Sequence, residues 1–573
     1  MIKDLWKYSG KYKIDLAMIP VAVLVGTVME IWIPYLMGDM LDKGLDKMAM
    51  DVVVHEGILM IIASIVLVVS GFMESFFVAK WSTGFTRNMR DQLFAKLQEL
   101  PHADTDEYGS ASILTRMSTD MNFIKKALGM YNSLMRCPLM ILCTIIMTIR
   151  VYPSVSWLFV GVAVLFVGIM VFIVRAAIKH YNLMFLNYDE LNNVLKENVT
   201  AERTVKAFAR EKHEEERFNK RADDLRHESF ISEGITVMNE PLLHLVMNIC
   251  TLVITFVGGK LIIARNMEVG DFFCIVSYVN QILVQIYIVA LIMVPILSAT
   301  ISLKRIFEIV KRKPSIEDSG KDDVRPEDGS VRFENVQFGY YEDKEKRVLH
   351  DLNMDIKSGE FVGVIGSSGC GKSSLINLIP RFYDTSEGDI IVGGNSIRDM
   401  SLAQLRQSIG LVPQSSLLFT GTIRENLLWG NENATEEEMI KACKVADAYG
   451  FISTFPDGFE TVIGQGGSTV SGGQRQRLCI ARALLRNPKI LIFDDSLSAV
   501  DNTTEENIVR ELSENYSDTT VILVTQRFTS VQKADRIIVM NEGCIDKVGT
   551  HDELLTSSKI YKEIYETQRR MID

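Results

Sequence analysis

The stretch that most constrains the fold is residues 366–373, which read Gly-Ser-Ser-Gly-Cys-Gly-Lys-Ser, a complete G-x-x-x-x-G-K-[ST] pattern. The apolar residues 361–365 predict a buried strand before it, and residues 374–379 predict the start of a helix after it. A strand, a glycine-rich loop and a helix in this order allow backbone N–H groups to surround phosphate oxygens. A chance Gly/Ser turn is the alternative, and the completeness of the pattern argues against it. The second half of the chain is therefore predicted to be an α/β nucleotide-binding domain.

Two residues of this loop have predicted roles of their own. Lys372 is placed to reach the β- and γ-phosphates of a nucleotide, and Ser373 is placed to hold Mg²⁺. The helix that follows adds the partial positive charge of its N-terminus. We therefore expect a nucleoside triphosphate and Mg²⁺ as ligands.

The first half of the chain has a different character, because it carries six apolar segments that are each long enough to cross a bilayer, which takes about 20 residues. These predicted spans cover residues 14–39, 57–80, 133–151, 154–177, 241–264 and 271–300. Lysines and arginines concentrate in the two long connections, 80–132 and 178–240. The positive-inside tendency places these connections and both termini in the cytoplasm. We expect an all-α membrane domain of six transmembrane helices with long cytosolic extensions.

Composition sets the predicted domain boundaries, since 573 residues are too many for one core. Residues 1–310 are predicted to form the transmembrane domain, the polar and proline-punctuated residues 311–328 a linker, and residues 329–573 the nucleotide-binding domain. The eight cysteines show no metal-binding spacing, as expected of a reduced, cytosol-facing domain. With a net charge of −11 and no basic stripe, we expect membrane lipid but no nucleic acid among its partners.

Four polar residues inside the predicted spans are candidates for a substrate cavity: Glu30, Glu74, Gln281 and Gln285. A carboxylate within a span is costly and usually faces a cavity or a partner. Gln281 and Gln285 are four residues apart and share one helix face. Structural hydrogen bonding is the alternative role for these residues. Aromatic, Met-rich and sparsely acidic spans suit amphipathic compounds, cationic ones among them.

Further motifs follow the phosphate-binding loop. Ser471-Gly-Gly-Gln474 at a predicted helix N-terminus is a second anion-binding device. The apolar residues 490–494 predict a strand that ends in Asp494, where a carboxylate that organises Mg²⁺ belongs. Gln414 follows another apolar strand, and its side-chain carbonyl is expected to be within reach of Mg²⁺. Tyr340 ends the alternating strand 331–338, where it can stack on a base.

In this order and at this spacing, the motifs resemble those of the ATP-binding cassette (ABC) exporters, in the half-transporter form with one six-span domain and one nucleotide-binding domain. The resemblance covers essentially the whole chain. It extends to residues 109–116 with Asp120 and to residues 197–218, which are similar to the intracellular loops of the family. It implies an α/β P-loop ATPase domain of ABC type with a helical subdomain, ATP and Mg²⁺ as ligands, and loop tips near 109–118 and 199–210 that pass motion to the spans.

The resemblance also implies a role for each motif residue. Tyr340 is expected to stack on adenine, and Ser373, Gln414 and Asp494 are expected at Mg²⁺. Because ABC domains dimerise head to tail, Ser471 and Gly473 are expected to contact the γ-phosphate of ATP held by the other subunit, and residues 498–501 to form a crossing loop. The residues expected around ATP are Tyr340, Gly366, Ser367, Ser368, Gly369, Cys370, Gly371, Lys372, Ser373, Ser374, Gln414, Ser471, Gly472, Gly473, Gln474 and Asp501.

Two departures from the family pattern fall on the hydrolytic side of the ATP site. Asp495 stands where the family usually has the glutamate that polarises the attacking water, and Gln526 stands where it usually has histidine. Aspartate is one methylene shorter, and about 1 Å of misplacement costs on the order of 100-fold in rate. Glutamine forms hydrogen bonds but does not titrate near neutral pH. The site is therefore predicted to bind ATP and to hydrolyse it slowly.

This pairing predicts a heterodimer in which a second, non-identical half-transporter supplies the missing Glu and His. A homodimer that hydrolyses slowly with Asp495 is the alternative. The leading hypothesis is ATP-driven export of amphipathic small molecules across a bacterial inner membrane, with the nucleotide-binding domain in the cytoplasm. A lipid flippase and a non-pumping ATP-gated channel or sensor share the architecture and remain alternatives.

Overall fold

A computed structural model describes residues 2–318, 320–340, 346–497 and 500–572. The chain forms two compact units, each with its own interior. The first comprises Met1–Gln98 and Ser110–Arg312, and the second comprises Glu99–Gly109 and Lys313–Asp573. The short segment Glu99–Gly109, which the sequence-based boundaries assign to the transmembrane domain, thus groups with the second unit.

The first unit is helical. Its helices, together with the short α4 that groups with the second unit, are α1 Ile2–Tyr8, α2 Lys13–Asp39, α3 Met50–Glu99, α4 His102–Tyr108, α5 Ser110–Thr115, α6 Met121–Leu128, α7 Tyr131–Val151, α8 Pro153–Thr200, α9 Glu202–Ala207, α10 Glu211–Val237, α11 Asn239–Ile263 and α12 Val269–Val310. Single turns of other helix types lie at Gly10–Tyr12, Met40–Leu45 and Arg116–Asp120.

Five helical stretches among the described residues are long and apolar enough to cross a membrane. They are Gly10–Leu45, Met50–Glu99, Ser110–Val151, Glu211–Ile263 and Val269–Val310. The fourth predicted span, 154–177, falls within helix α8, where most side chains lie outside the described ones. The helical membrane domain is confirmed, and the count of six spans stays a prediction.

The long charged connections continue the helices beyond the apolar segments, as predicted. Helix α3 runs for 50 residues without interruption. Helices α8 and α10 form an antiparallel pair that turns at α9, and ion pairs join Arg217 to Glu197 at 2.9 Å and Arg221 to Glu190 at 2.6 Å. These surface pairs add little stability. The pair of helices is therefore a solvated hairpin held mainly by its inward side chains.

The second unit is an α/β domain. Its strands are β1 Val331–Phe338, β2 Leu349–Ile356, β3 Phe361–Gly366, β4 Glu387–Val392, β5 Asn395–Ser396, β6 Ile409–Val412, β7 Gly421–Thr422, β8 Val462–Ile463, β9 Ile490–Asp494, β10 Thr520–Thr525, β11 Arg536–Asn541 and β12 Cys544–Gly549. Its remaining helices are α13 Lys372–Leu378, α14 Leu402–Gln407, α15 Ile423–Leu428, α16 Glu436–Val445, α17 Tyr449–Ile452, α18 Gly472–Leu484, α19 Asn502–Asn515, α20 Phe528–Val531, α21 His551–Ser557 and α22 Lys559–Ile572.

Two sheets carry the domain. The six-stranded sheet has the order β12-β11-β3-β10-β9-β6 and is parallel except for β12, and the antiparallel sheet has the order β2-β1-β4-β5. Strands β9 and β10 are nearly uniform runs of buried apolar residues, as expected of parallel strands covered on both faces. Helices α15–α18 and the small β7–β8 sheet lie between β6 and β9 in the chain, which is the helical insertion that the sequence predicts.

Candidate functional site

The candidate site lies at the carboxyl edge of the parallel sheet. Strand register pairs Ile365 with Thr525, Val524 with Asp494, and Phe493 with Val412. The strands β3, β10, β9 and β6 therefore end side by side. Ligands bind at this edge in open parallel sheets. The phosphate-binding loop, Asp494, Gln526 and Gln414 all follow these strand ends, as their positions in the sequence predict.

The phosphate-binding loop leaves β3 and enters α13 through two glycines in the left-handed region. Gly369 has φ +81° and Gly371 has φ +97°. A Cβ atom at Gly371 would lie 2.7 Å from Cδ2 of Leu349, so glycine is required there by both backbone and space. The buried Lys372 ammonium donates hydrogen bonds to the carbonyl oxygens of Gly366 at 2.9 Å and Ser367 at 2.7 Å. The backbone carbonyl groups of the loop thus hold the Lys372 ammonium in place.

Ser373 and Asp494 supply the oxygen atoms for a cation. The Ser373 hydroxyl donates to Oδ1 of Asp494 over 2.9 Å. Burial, and to a smaller extent the charge of Asp495, raise the pKa of Asp494. The hydrogen bond from Ser373 and the charge of Lys372 lower it, but the net pKa is still raised. A hydroxyl and a carboxylate that already lie together are hard ligands of the kind that Mg²⁺ prefers. These residues fit the metal that a P-loop ATPase uses with its nucleotide, and they would hold it beside the phosphates.

Tyr340 lies against the helix that carries the phosphate-binding loop. Its hydroxyl is hydrogen-bonded to the Ser374 hydroxyl at 2.8 Å, and its ring meets Tyr383 edge-on with centroids 5.1 Å apart. The ring is about half exposed. Tyr340 is thus near the phosphate loop, and stacking on adenine stays a prediction.

The two residues that depart from the family pattern follow neighbouring strands. Asp495 comes directly after β9 with φ +46°, and its N–H donates to the carbonyl of Val524 over 2.9 Å. Burial raises the pKa of Asp495, and the charges of Lys372 and Arg527 oppose this. Gln526 follows β10, and its side chain is exposed. Both residues therefore lie at the carboxyl edge of the parallel sheet, next to Asp494.

A residue that the sequence did not single out positions the Gln526 segment. The side-chain amide of Gln568, on the last helix α22, donates to the carbonyl of Gln526 at 2.6 Å and accepts from the N–H of Phe528 at 3.0 Å. Arg527 between them forms an ion pair with the buried Glu505 at 3.4 Å. No motif marks Gln568, because its role comes from tertiary packing of the last helix.

The Val-Ser-Gly-Gly-Gln motif begins a helix, as predicted. Ser471 caps α18: its hydroxyl accepts from the N–H of Gln474 at 3.2 Å, and the Gln474 side chain accepts from the N–H of Ser471 at 3.0 Å. Gly472 and Gly473 form the first turn of that helix. Asp501 caps α19 by accepting from the N–H of Thr504 at 3.0 Å. The predicted loop residues Ser498 and Ala499 lie outside the described residues, and Gln414 is exposed two residues beyond β6.

The four polar residues predicted for a cavity come together in the first unit around Arg136 of α7. The guanidinium pairs with the Glu30 carboxylate of α2, and its Nη1 lies 3.6 Å from Oε2 of Glu74 on α3. On α12, Gln281 donates to the carbonyl of Glu30 at 3.4 Å, and Oε1 of Gln285 accepts from the Cys137 thiol at 3.3 Å. We call these residues, Glu30, Glu74, Arg136, Gln281 and Gln285, the Arg136 cluster.

Arg136 itself was missed by the sequence-based reasoning. Its signal was available, because a guanidinium inside the predicted span 133–151 is as costly as a carboxylate and needs a partner. Its role as the centre of the cluster depends on the packing of α2, α3, α7 and α12, which the sequence does not show.

Helix α4 packs within the second unit. Its His102 ring meets Phe382 and Tyr383 edge-on, with centroids 5.8 and 5.7 Å apart, and the Tyr383 hydroxyl donates to Asp106 at 3.3 Å. The resemblance implies a loop tip near 109–118, immediately after this helix. The chain turns at Gly109 (φ +72°), residues 110–118 group with the first unit, and a role of residues 109–118 in passing motion to the spans stays a prediction.

The fold and the site define a membrane protein with a P-loop ATPase domain in the same chain. Residues 16–286 match the family model of the ABC transporter transmembrane region, and residues 349–498 match the ABC transporter ATPase model. The uncharacterized ABC transporter ATP-binding protein YfiB of Bacillus subtilis is 32% identical over 549 residues, which cover 96% of this chain and 95% of that protein. The chain therefore belongs to the ABC transporter family, as an exporter with fused transmembrane and ATPase domains.

The chain is also similar to a relative with a named activity and to a solved structure. An ATP-dependent lipid A-core flippase of Desulfotalea psychrophila is 36% identical over 380 residues, which cover 66% of each chain. A solved structure of a bacterial Atm1-family ABC exporter with ATP bound has a TM-score of 0.80 at 23% identity, covering 98% of this chain and 99% of that chain. The second comparison establishes the fold alone. The resemblance to ABC exporters is confirmed by the two family models and by the full-length similarity to YfiB.

Proposed function

We propose that the chain is one half of a heterodimeric exporter that moves amphipathic small molecules across a bacterial inner membrane, with its ATPase domain in the cytoplasm. The observation that carries this proposal is an ATP site whose binding parts are assembled while its hydrolytic positions hold Asp495 and Gln526. Ser373 and Asp494 lie in contact, and Lys372 is held over the loop. The site is built to hold ATP·Mg²⁺ and turns it over slowly.

The partner subunit supplies a glutamate and a histidine at the two positions that Asp495 and Gln526 occupy in this chain. The intact capping box of Ser471 and Gln474 keeps the Val-Ser-Gly-Gly-Gln motif in order, so that this chain completes the faster site on its partner. ATP binding then favours the closed pair of ATPase domains, and hydrolysis at the faster site resets it. A difference of a few kcal/mol between the two states is enough for this switch.

Lipid transport is the second candidate function. It is favoured by the ATP-dependent lipid A-core flippase of Desulfotalea psychrophila, which is 36% identical over 380 residues. Transport of lipid and of amphipathic compounds uses the same ATP-driven switch.

A non-pumping channel of this architecture would dissipate a substrate gradient that an exporter builds.

The proposal is tested with this chain co-expressed with a half-transporter that carries Glu and His at the positions of Asp495 and Gln526. Ser471→Ala in this chain should reduce ATP turnover of the complex by about 10-fold or more, because it damages the faster site. Asp495→Asn should reduce turnover far less. Equal losses from the two variants would show that both sites hydrolyse alike and would contradict the proposal.

A further inference from the structure

The Arg136 cluster carries an excess of negative charge inside the membrane unit. Arg136 contacts the carboxylates of both Glu30 and Glu74, so that two acidic groups face one guanidinium. Glu74 is 2% exposed, and Gln285 is 6% exposed. Charge in the apolar part of a membrane is retained where it is paired, and an excess charge favours a further partner of opposite sign. The cluster is therefore suited to accept one more cation and unsuited to an anion.

The cluster also holds unused hydrogen-bond acceptors. Among the described residues, Oε1 of Glu74 and Oε1 of Gln281 are buried without a hydrogen-bond partner. The Glu74 and Gln281 oxygens accept hydrogen bonds and donate none when the carboxylate is ionised. Buried polar atoms without partners are rare in proteins and call for an explanation.

We propose that the Arg136 cluster binds the head group of the exported compound, and that this head group is a protonated amine with at least one N–H. The proposal rests on the export function proposed above and names its substrate class. An ammonium group supplies the two things that the cluster lacks. It brings one positive charge to pair with Glu74, and it brings N–H donors for the unpartnered Oε1 atoms of Glu74 and Gln281. A quaternary ammonium supplies the charge alone, so it is the matched ligand that separates the two contributions.

An amphipathic amine and the ethanolamine head group of a phospholipid offer the same chemistry. Binding is therefore measured with the full chain in nanodiscs of phosphatidylcholine and phosphatidylglycerol, without nucleotide. One arm compares dodecylamine with dodecyltrimethylammonium, and the other compares labelled phosphatidylethanolamine with labelled phosphatidylcholine. We expect the amine of at least one pair to bind about 10-fold more tightly than its trimethyl counterpart, since it adds charge-assisted hydrogen bonds.

Glu74→Gln should reduce this preference, because its neutral amide oxygen accepts a weaker hydrogen bond from the amine than the carboxylate does, and Glu74→Asp should retain more of it. Asp15→Asn is the matched control, because it removes a buried carboxylate of α2 that pairs with Lys80 at 2.8 Å outside the cluster. The control should keep the full preference. Unchanged ATP binding and thermal unfolding of Glu74→Gln show that the variant is folded.

The two arms identify the source of the ligand. A preference in the first arm alone assigns a soluble amphipathic amine, and a preference in the second alone assigns an aminolipid. Equal binding within both pairs, or a preference that Glu74→Gln leaves unchanged, would overturn the proposal. Because binding is measured without ATP, its failure is distinct from a failure of ATP-driven transport.

Discussion

The hydroxyl of Ser373 donates a hydrogen bond to Oδ1 of Asp494 over 2.9 Å. This bond joins the phosphate-binding loop, which follows β3, to the end of β9, and β10 lies between these two strands in the sheet. The two residues are far apart in sequence and meet because β3, β10 and β9 are parallel and in register. The contact fixes the positions of two oxygen atoms that we propose as ligands of Mg²⁺. Several consequences of this arrangement and of others in the chain are open to measurement.

Replacing Asp494 with Asn should weaken Mg²⁺-dependent ATP binding by about 10-fold or more, because the amide removes the carboxylate charge that faces the metal. Titration of a fluorescent ATP analogue with and without Mg²⁺ measures the change. Asp355→Asn, at an exposed carboxylate of β2 that pairs with Arg332, is the control and should bind as the unaltered protein does. An equal effect of both substitutions would contradict the proposed role of Asp494.

Replacing Gln568 with Ala should loosen the segment from Gln526 to Phe528, since it removes the two hydrogen bonds that α22 makes to that backbone. Amide hydrogen exchange of this segment should be about 10-fold faster, which corresponds to a loss of about 1.4 kcal/mol and is typical of a lost hydrogen bond. Gln532→Ala, in the turn just beyond α20, is the comparison. Exchange that stays unchanged in Gln568→Ala would show that packing of Phe528 on Tyr565 alone holds the segment.

The pair of Glu360 and Arg536 should make the ATPase domain sensitive to acid. Burial raises the pKa of Glu360. The hydrogen bonds from Arg536, the hydrogen bond from the Lys357 N–H and the charges of both residues outweigh this effect, so that the net pKa lies below its usual value of about 4.3. The unfolded chain then binds a proton at a higher pH than the folded chain. The stabilisation is present in full above the usual value and is lost as the pH falls through the lowered pKa.

Glu360→Gln should remove this component of the acid dependence and lower local stability near neutral pH by about 1–3 kcal/mol. Hydrogen exchange of peptides from β3 and β11, recorded between neutral pH and about pH 4, measures both effects. If the unaltered protein and Glu360→Gln lose protection in parallel on acidification, then the pair does not contribute as described.

Replacing Asp120 with Ala should destabilise the first unit. Asp120 is fully buried, accepts from the Ser302 hydroxyl at 2.8 Å and pairs with Arg305, both on α12. Loss of the carboxylate leaves the buried Ser302 hydroxyl without its acceptor, which costs about 1–3 kcal/mol. In thermal unfolding in detergent, the midpoint of Asp120→Ala should be lower than the midpoint of Ser118→Ala, which replaces an exposed hydroxyl in the same turn. Equal midpoints would exclude a stabilising role for Asp120.

The sequence predicts the ATP site better than the membrane site, for a physical reason. Residues 366–373 are contiguous and their chemistry follows from local backbone geometry, so the loop and the strand before it could be placed from the pattern alone. Asp494 could be added because parallel strands end at one edge. Arg136 and Gln568 act through partners on distant helices, and no local pattern encodes those contacts.

By itself, this chain is expected to bind ATP well and to hydrolyse it slowly. Steady-state ATP turnover by the purified chain alone in nanodiscs, with ATP binding recorded in parallel, tests this expectation. We expect tight binding with slow turnover, and a gain of about 10- to 100-fold in the double variant Asp495→Glu, Gln526→His, which restores the geometry and the titratable group. Brisk turnover by the unaltered chain that Asp495→Asn abolishes would show that the site is not a slow one.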